Sequence, residues 1–307
     1  MRVLVVVNPN ATSTRRRTRD VLLAALSGAA DVTIAQTTHR NHAEELAEQA
    51  LDAEADAVVA YGGDGTVNEV VNGLLTRGPG QHVPLLGVLP GGSANVFARN
   101  LGLPSEPLDA AERLLRSLRQ PVRTRRIGLG RANGRWFTFN SGLGYDADTV
   151  LAVENARHRG KRATPGLYVR SAVRTYFSQE RRTPLISGDL PGGDVLPELF
   201  LALVTNSSPW TYLGPRPIRT APRSSFEAGL DLVGTTSMGI AGILKHAAEI
   251  VVGHSGPRGH DVVHRHDLPW VSLTAQQPLA YQVDGDYLGV TSRLRCVSVP
   301  DALRVLV

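Results

Sequence analysis

Ala57-Val58-Val59-Ala60-Tyr61-Gly62-Gly63-Asp64-Gly65-Thr66-Val67-Asn68-Glu69 is the stretch on which the fold turns. A short aliphatic run ends in two glycines, and a helical pattern over 67–75 begins directly afterwards. Strand, glycine turn and helix in that order are the unit of an open α/β sheet, which binds ligands at the carboxyl ends of its strands. Glycines let the backbone approach closely and offer N–H groups to phosphate oxygens, and the helix start adds partial positive charge. The alternative is a structural strand-to-helix turn with Asp64 as the helix cap. An aspartate in a phosphate cradle repels its ligand unless it organises Mg²⁺ or an acceptor hydroxyl.

Outward from this stretch the pattern recurs. Leu89-Pro90-Gly91-Gly92-Ser93-Ala94-Asn95 follows a strand-like run at 84–89 and opens a helical run at 94–100. Asn8-Pro9-Asn10 closes a first strand at 2–7, and 31–36 reads as another. Helical spacing over 15–26 and 42–53 fills the intervals. This alternation predicts a doubly wound α/β domain over roughly the first 120 residues, with three polar strand ends on one edge. The chain lacks both the G-x-G-x-x-G fingerprint and the lysine-bearing phosphate loop.

From about residue 125 the texture changes to short β-like runs at 136–140, 199–205, 230–235, 270–274, 279–283 and 294–299, punctuated by Pro and Gly. This predicts an antiparallel β-sandwich, interrupted by helices at 164–177 and 240–252. The 307 residues suit two domains, and 42% hydrophobic against 20% charged residues suffices for packed cores. Cys296 is the only cysteine, which excludes an intramolecular disulfide and a cysteine-built zinc site. The opening apolar run is too short for a signal peptide, and no apolar run reaches the roughly 18 residues of a spanning helix.

The formal net charge is +5 and the pI about 9.7. Basic clusters occur at Arg15-Arg16-Arg17, Arg123/Arg125/Arg126, Arg157/Arg159/Lys161/Arg162 and Arg181-Arg182. They read either as solvated surface or as attraction to an anionic partner. None is interleaved with aromatics on a nucleic-acid module, so no nucleic-acid partner is expected.

Asn8-Pro9, the 62–72 segment and PGGSANVFARNLGLP at 90–104 together resemble the diacylglycerol kinase catalytic family, which includes bacterial lipid kinases, sphingosine kinases and ceramide kinases. Phe139-Asn140-Ser141-Gly142-Leu143-Gly144-Tyr145-Asp146-Ala147 and Tyr281-Gln282-Val283-Asp284-Gly285-Asp286 continue the resemblance in the family's order. It implies an α/β nucleotide-binding domain over 1–125, a β-sandwich lipid domain over 126–294, and a return of residues 295–307 to the first. It further implies ATP and Mg²⁺ as cofactors and a membrane lipid as substrate, most simply diacylglycerol. Transient membrane-surface contact by a cytoplasmic protein, peripheral at the inner membrane surface, goes with that reading, and it leaves room for a homodimer.

Position by position, Asn8, Thr37, Gly62, Gly63, Asp64, Gly65, Thr66, Asn68 and Ser93 match the family's nucleotide-contacting positions. Thr37 opens Thr37-Thr38-His39-Arg40-Asn41-His42-Ala43, similar to a sphingosine kinase segment; His39 and His42 themselves read as surface or helix-cap polarity, with no completed ligand set nearby. Asp284-Gly285-Asp286 matches a family Asp-Gly-Glu whose last carboxylate is a general base, which nominates Asp286. Asp-Gly between strand-like runs also signals a hairpin, and both readings hold together. Asp64 is the rival base. Asp146 matches an aspartate that meets the substrate's polar head in sphingosine kinases, against the reading of a helix N-cap.

The sequence departs from the family where Val96, Gly128 and Ala228 stand in place of acidic residues tied to magnesium, which puts a protein-held structural metal in doubt. Pro209-Trp210-Thr211-Tyr212-Leu213-Gly214 reads either as a bilayer contact or as a loop packed on the sandwich. Three functions follow: a diacylglycerol kinase, a sphingoid-base kinase, or an inactive lipid- or nucleotide-binding homologue. A soluble-substrate relative of NAD kinase fits less of the chain.

Overall fold

Three short, mostly aliphatic strands and a more polar one set up the first unit: β1 (Arg2–Val7), β3 (Ala57–Gly62) and β4 (Leu85–Pro90), with β2 (Asp31–Gln36) as the polar, more exposed member. The computed structural model describes residues 1–11, 24–28, 30–118, 122–158, 185–237, 239–252 and 255–307. All four strands run parallel in the order β2-β1-β3-β4, with Val5 level with Ile34 on one side and with Val59 on the other. The strand order reverses direction between β1 and β3, the switch point where such sheets open a crevice. Near the chain end, Val305 pairs in parallel with Leu86 of β4.

Both faces of this sheet are covered, which is why β3 and β4 are buried throughout. Helices α1 (His42–Asp52) and α2 (Asp64–Leu74) pack on each other and on β1 and β3. The alternate side chains Val3, Val5, Val59 and Tyr61 join Ala110, Leu114 and Leu118 in a separate core on the other face. That core is closed by α4 (Pro107–Leu118), a helix the sequence reading did not mark although its apolar positions are helically spaced. The short α3 (Val96–Asn100) follows the second glycine turn.

The first unit comprises Met1–Leu129 and Pro300–Val307, and the second Gly130–Val299. The changeover lies at 129/130, and the return to the first unit begins at Pro300. Strand β5 (Thr124–Ala132) carries the chain across that boundary.

The second unit is antiparallel, with strands β6 (Arg135–Phe137), β7 (Asn140–Gly144), β8 (Ile186–Asp189), β9 (Val195–Leu199), β10 (Leu201–Thr205), β13 (Leu230–Thr235), β14 (Val262–Leu268), β15 (Trp270–Val283) and the part of β16 (Asp286–Leu306) that precedes Pro300. A separate hairpin joins β11 (Thr211–Leu213) to β12 (Arg216–Ile218), and the α-helices among the described residues of this unit are α5 (Tyr145–His158) and α6 (Ile240–Val252). The runs expected at 270–274 and 279–283 are one strand, β15, whose register with β16 shifts between Thr274 and Leu279. Its first half pairs with β8 and its last residues with β7, so hydrogen bonding continues around a core that includes Phe137, Leu143, Ile186, Leu232, Leu273 and Leu294. The helix expected at 164–177 and most of that at 15–26 lie outside the described residues, as do the basic groups at Arg15–17, Arg159/Lys161/Arg162 and Arg181-Arg182.

Candidate functional site

In the first unit the polar strand ends meet as expected. Asn8 at the end of β1 donates its Nδ2 to Oγ1 of Thr66, 3.1 Å away across the switch point, and its Oδ1 accepts the Asn10 N–H. Thr37 stands at the end of β2, its N–H donated to the Val7 carbonyl. Helix α2 starts earlier than its apolar pattern suggests, at Asp64 with Gly63 in the capping position. Gly65 and Thr66 thus lie in the first helical turn, whose N–H groups have no intrahelical carbonyl to meet. That turn, with Gly63, Asp64 and Gly65 partly exposed, presents helix-start N–H groups, the kind of geometry that suits an anion.

The two glycine turns differ in kind. A Cβ on Gly62 would come within 2.5 Å of Thr66 Oγ1, and one on Gly92 within 2.6 Å of the Gly63 Cα. In the second turn the Gly91 N–H is donated to the Gly62 carbonyl and the Gly92 N–H to Asn95 Oδ1, each at 2.8 Å. Those amides are used internally, so this turn is a buttress that leaves Ser93 exposed at its tip. Asn68 does not join the exposed set: it is 1% exposed and accepts the Asn72 amide.

Asp64 is the first residue of its helix, with Gly63 as the N-cap. Its Oδ1 accepts the Phe97 N–H of α3 at 3.0 Å, so it caps the neighbouring helix. Glu69, one and a half turns later, does the same for α1, taking the N–H groups of Asn41 and Ala43 at 3.0 and 3.1 Å. Two carboxylates on α2 thereby supply the acceptors that the first turns of its two neighbours lack. Glu69 had no role in the sequence reading, because nothing near it in the chain identifies its partner.

The histidines lie just before and at the start of α1. Contrary to the sequence reading, a third group does approach: ligand atoms of His39, His42 and Glu45 lie within 4.8 Å of one another. His42 Nδ1, however, accepts the Thr38 N–H at 3.0 Å, which keeps the proton of the neutral ring on Nε2 and opposes metal binding there. Helix-entry polarity is the role the geometry supports.

In the second unit Asp284 and Gly285 form the two-residue turn between β15 and β16, with φ of 48° and 81° and Val283 paired to Asp286. The Asp284 carboxylate is buried and accepts from Thr138 N, Thr138 Oγ1, Phe139 N and Asn140 N at 2.7 to 3.0 Å. Asp286 follows this clamped turn, partly buried at the start of β16.

Asp146 lies in the first turn of α5, which begins at Tyr145, so it is not the N-cap considered above. Its Oδ2 accepts the Gln282 amide at 2.8 Å. Burial pushes its pKa up from 3.8 to about 6; the Gln282 hydrogen bond opposes that rise and the nearby charge of Asp148 adds to it. Burial likewise pushes the Cys296 thiol up to about 12, an inert core position.

The 225–229 loop is closed by its own contacts: Ala228 N donates to the Ser225 carbonyl, and Gly229 N to Asp267 Oδ1 at 2.7 Å. Ala228 has no side-chain oxygen and Glu227 is exposed, so these residues do not fit a protein-held structural metal. No helix among the described residues is long and apolar enough to cross a membrane.

Comparison with known proteins accords with this geometry. The pattern of the diacylglycerol kinase catalytic domain matches residues 2–127. A diacylglycerol kinase of Bacillus subtilis is 30% identical over 266 residues, covering 83% of this chain and 78% of the relative. A diacylglycerol kinase of Staphylococcus haemolyticus is 36% identical over 135 residues, 43% of this chain and 38% of that one. Among solved structures, a diacylglycerol kinase from Bacillus anthracis matches 99% of this chain and 96% of its own, at TM-score 0.72 and 21% identity. An NAD kinase from Archaeoglobus fulgidus in complex with ATP shares the fold more loosely, with TM-score 0.54 and 12% identity.

Proposed function

Because the chain belongs to the diacylglycerol kinase family, a family of lipid kinases, we propose that it transfers the γ-phosphate of MgATP to the free hydroxyl of diacylglycerol, releasing ADP and phosphatidic acid. The observation that carries the nucleotide end is the first turn of α2 at the switch point, with its neighbours Gly62 and Gly92 held free of side chains by close contacts. Magnesium enters with ATP as part of the substrate and neutralises the triphosphate; Asn8, Thr37, Ser93 and the Gly63–Thr66 backbone serve the nucleotide.

At the acceptor end the lipid hydroxyl oxygen bonds to the γ-phosphorus while the β–γ bridging bond breaks. Asp286 takes the hydroxyl proton. This assignment over Asp64 is favoured because Asp64 Oδ1 is committed to Phe97, whereas Asp286 follows a turn whose preceding carboxylate is held by four donors. A neutral lipid is favoured over a sphingoid base because one oxygen of the Asp146 carboxylate, Oδ2, already accepts the Gln282 amide, which leaves less of it for an ammonium group. The lipid is reached by transient contact with a membrane surface, assisted by the net positive charge.

The test is label transfer from γ-labelled ATP, with vesicles containing diacylglycerol or sphingosine supplied in parallel. Labelled phosphatidic acid is expected. Label on the sphingoid base alone overturns the acceptor assignment. ATP binding with no label on either lipid sinks the catalytic reading and leaves a binding homologue.

A further inference from the structure

Gln282 is 1% exposed, and its side-chain amide is used at both ends. Nε2 donates to Asn140 Oδ1 at 2.6 Å and to Asp146 Oδ2 at 2.8 Å, while Oε1 accepts the Gly285 N–H at 2.9 Å. The arrangement has a direction. An ionised carboxylate accepts hydrogen bonds and donates none, so the NH₂ end of the amide must face Asp146. The oxygen is then left for Gly285; a reversed amide would set N–H against N–H there. The space is made by Gly142, where a Cβ would lie 2.2 Å from Asp146 Oδ2.

We infer that Gln282 is a positioning residue that orients the Asp284-Gly285-Asp286 turn, with the Asp146 carboxylate setting which way its amide points. The inference rests on the reading of Asp286 as the proton acceptor. Asp284 is fixed by the 138–140 segment, but the next peptide N–H has Gln282 as its acceptor, and that link lies immediately before Asp286. Asn140 closes the network: its N–H goes to Asp284, its carbonyl receives the Asp284 N–H, and its side chain receives Gln282. Neither Gln282 nor its partners supplies a reacting atom. Their contribution is to limit the directions open to Asp286, on which proton transfer depends steeply.

Two variants and two readouts test this on the full chain. Gln282→Glu keeps an oxygen for Gly285 but sets a carboxylate oxygen against both Asp146 and Asn140 Oδ1. It should lower kcat about tenfold, equivalent to about 1.4 kcal/mol, leave KM for ATP within about twofold, and speed hydrogen exchange at the Gly285 amide. Adding Asp146→Asn supplies a donor to the introduced carboxylate and should recover part of both losses, as expected for coupled partners. Unchanged kcat and unchanged Gly285 exchange in the single variant overturn the inference, and so does a double variant no better than the single. Exchange is read without turnover. A wild-type chain that phosphorylates no lipid therefore removes the reaction proposed above, while the exchange arm still decides whether Gln282 orders the turn.

Discussion

Gly63 and Gly92 meet backbone to backbone: a Cβ on Gly92 would stand 2.6 Å from the Gly63 Cα and 3.0 Å from Asn95 Oδ1. The obstacle is backbone, which cannot swing aside as the end of a side chain can. Gly92→Ala should therefore cost about 1–3 kcal/mol of stability through overpacking and weaken ATP-analogue binding by about tenfold or more. Calorimetric titration of the nucleotide together with thermal unfolding checks both. Wild-type affinity in the variant would show that the second turn does not shape the first.

Asp64 separates structure from chemistry. Asp64→Ala removes the acceptor for the Phe97 N–H and should lose about 1 kcal/mol, the usual worth of a cap. Asp64→Asn retains a cap oxygen and should stay within about 0.5 kcal/mol of the parent. If the charge also organises MgATP, the asparagine variant loses activity with its stability intact. If both variants lose only in proportion to stability, the carboxylate is a cap and nothing more.

Asp284 and Asp286 stand two residues apart and should fail in different ways. Asp284→Asn sets an NH₂ group against donors that now converge on a carboxylate, leaving buried N–H groups unmatched at about 1–3 kcal/mol. Asp286→Asn should unfold like the parent yet lower kcat by about 10²–10⁴-fold, the span of general acid–base catalysis. Denaturant unfolding and steady-state kinetics on both variants distinguish the two; a full loss of kcat without loss of stability in Asp284→Asn would reverse the roles.

Asp146 makes a prediction in pH. Its folded pKa of about 6 lies above its ordinary 3.8, so the folded state holds this proton more tightly than the unfolded chain does. The contribution favours folding below 3.8 and is lost as pH rises through the 3.8 to 6 window. The stability difference between the parent and Asp146→Asn, measured by urea unfolding across that window, should move against the parent as pH rises. A slope of the opposite sign would mean that Gln282 outweighs burial.

Much of this was legible in the chain itself. The aliphatic runs ending in Asn8, Gly62 and Pro90 announce buried parallel strands, because only a strand covered on both faces reads as continuously apolar. Asp284-Gly285 announces its turn because both residues adopt positive φ there. Other features were not legible. The helix at Pro107–Leu118 shows in the chain only as apolar spacing without a turn motif, and α2 begins at Asp64, before its apolar period starts. The α5 start at Tyr145 likewise moved Asp146 from a cap to a network.

The sequence by itself determined the strand-turn-helix units, the change to antiparallel strands and the family resemblance, since each rests on local periodicity, turn chemistry or motif order. Only the tertiary structure decided what the polar groups do. Asp64 meets Phe97 across 33 residues, Glu69 meets Asn41 across 28, and Gln282 meets Asp146 across 136. Such partners are chosen by where strands and helices pack. A carboxylate that reads as phosphate chemistry along the chain is, in space, also the cap of a neighbouring helix.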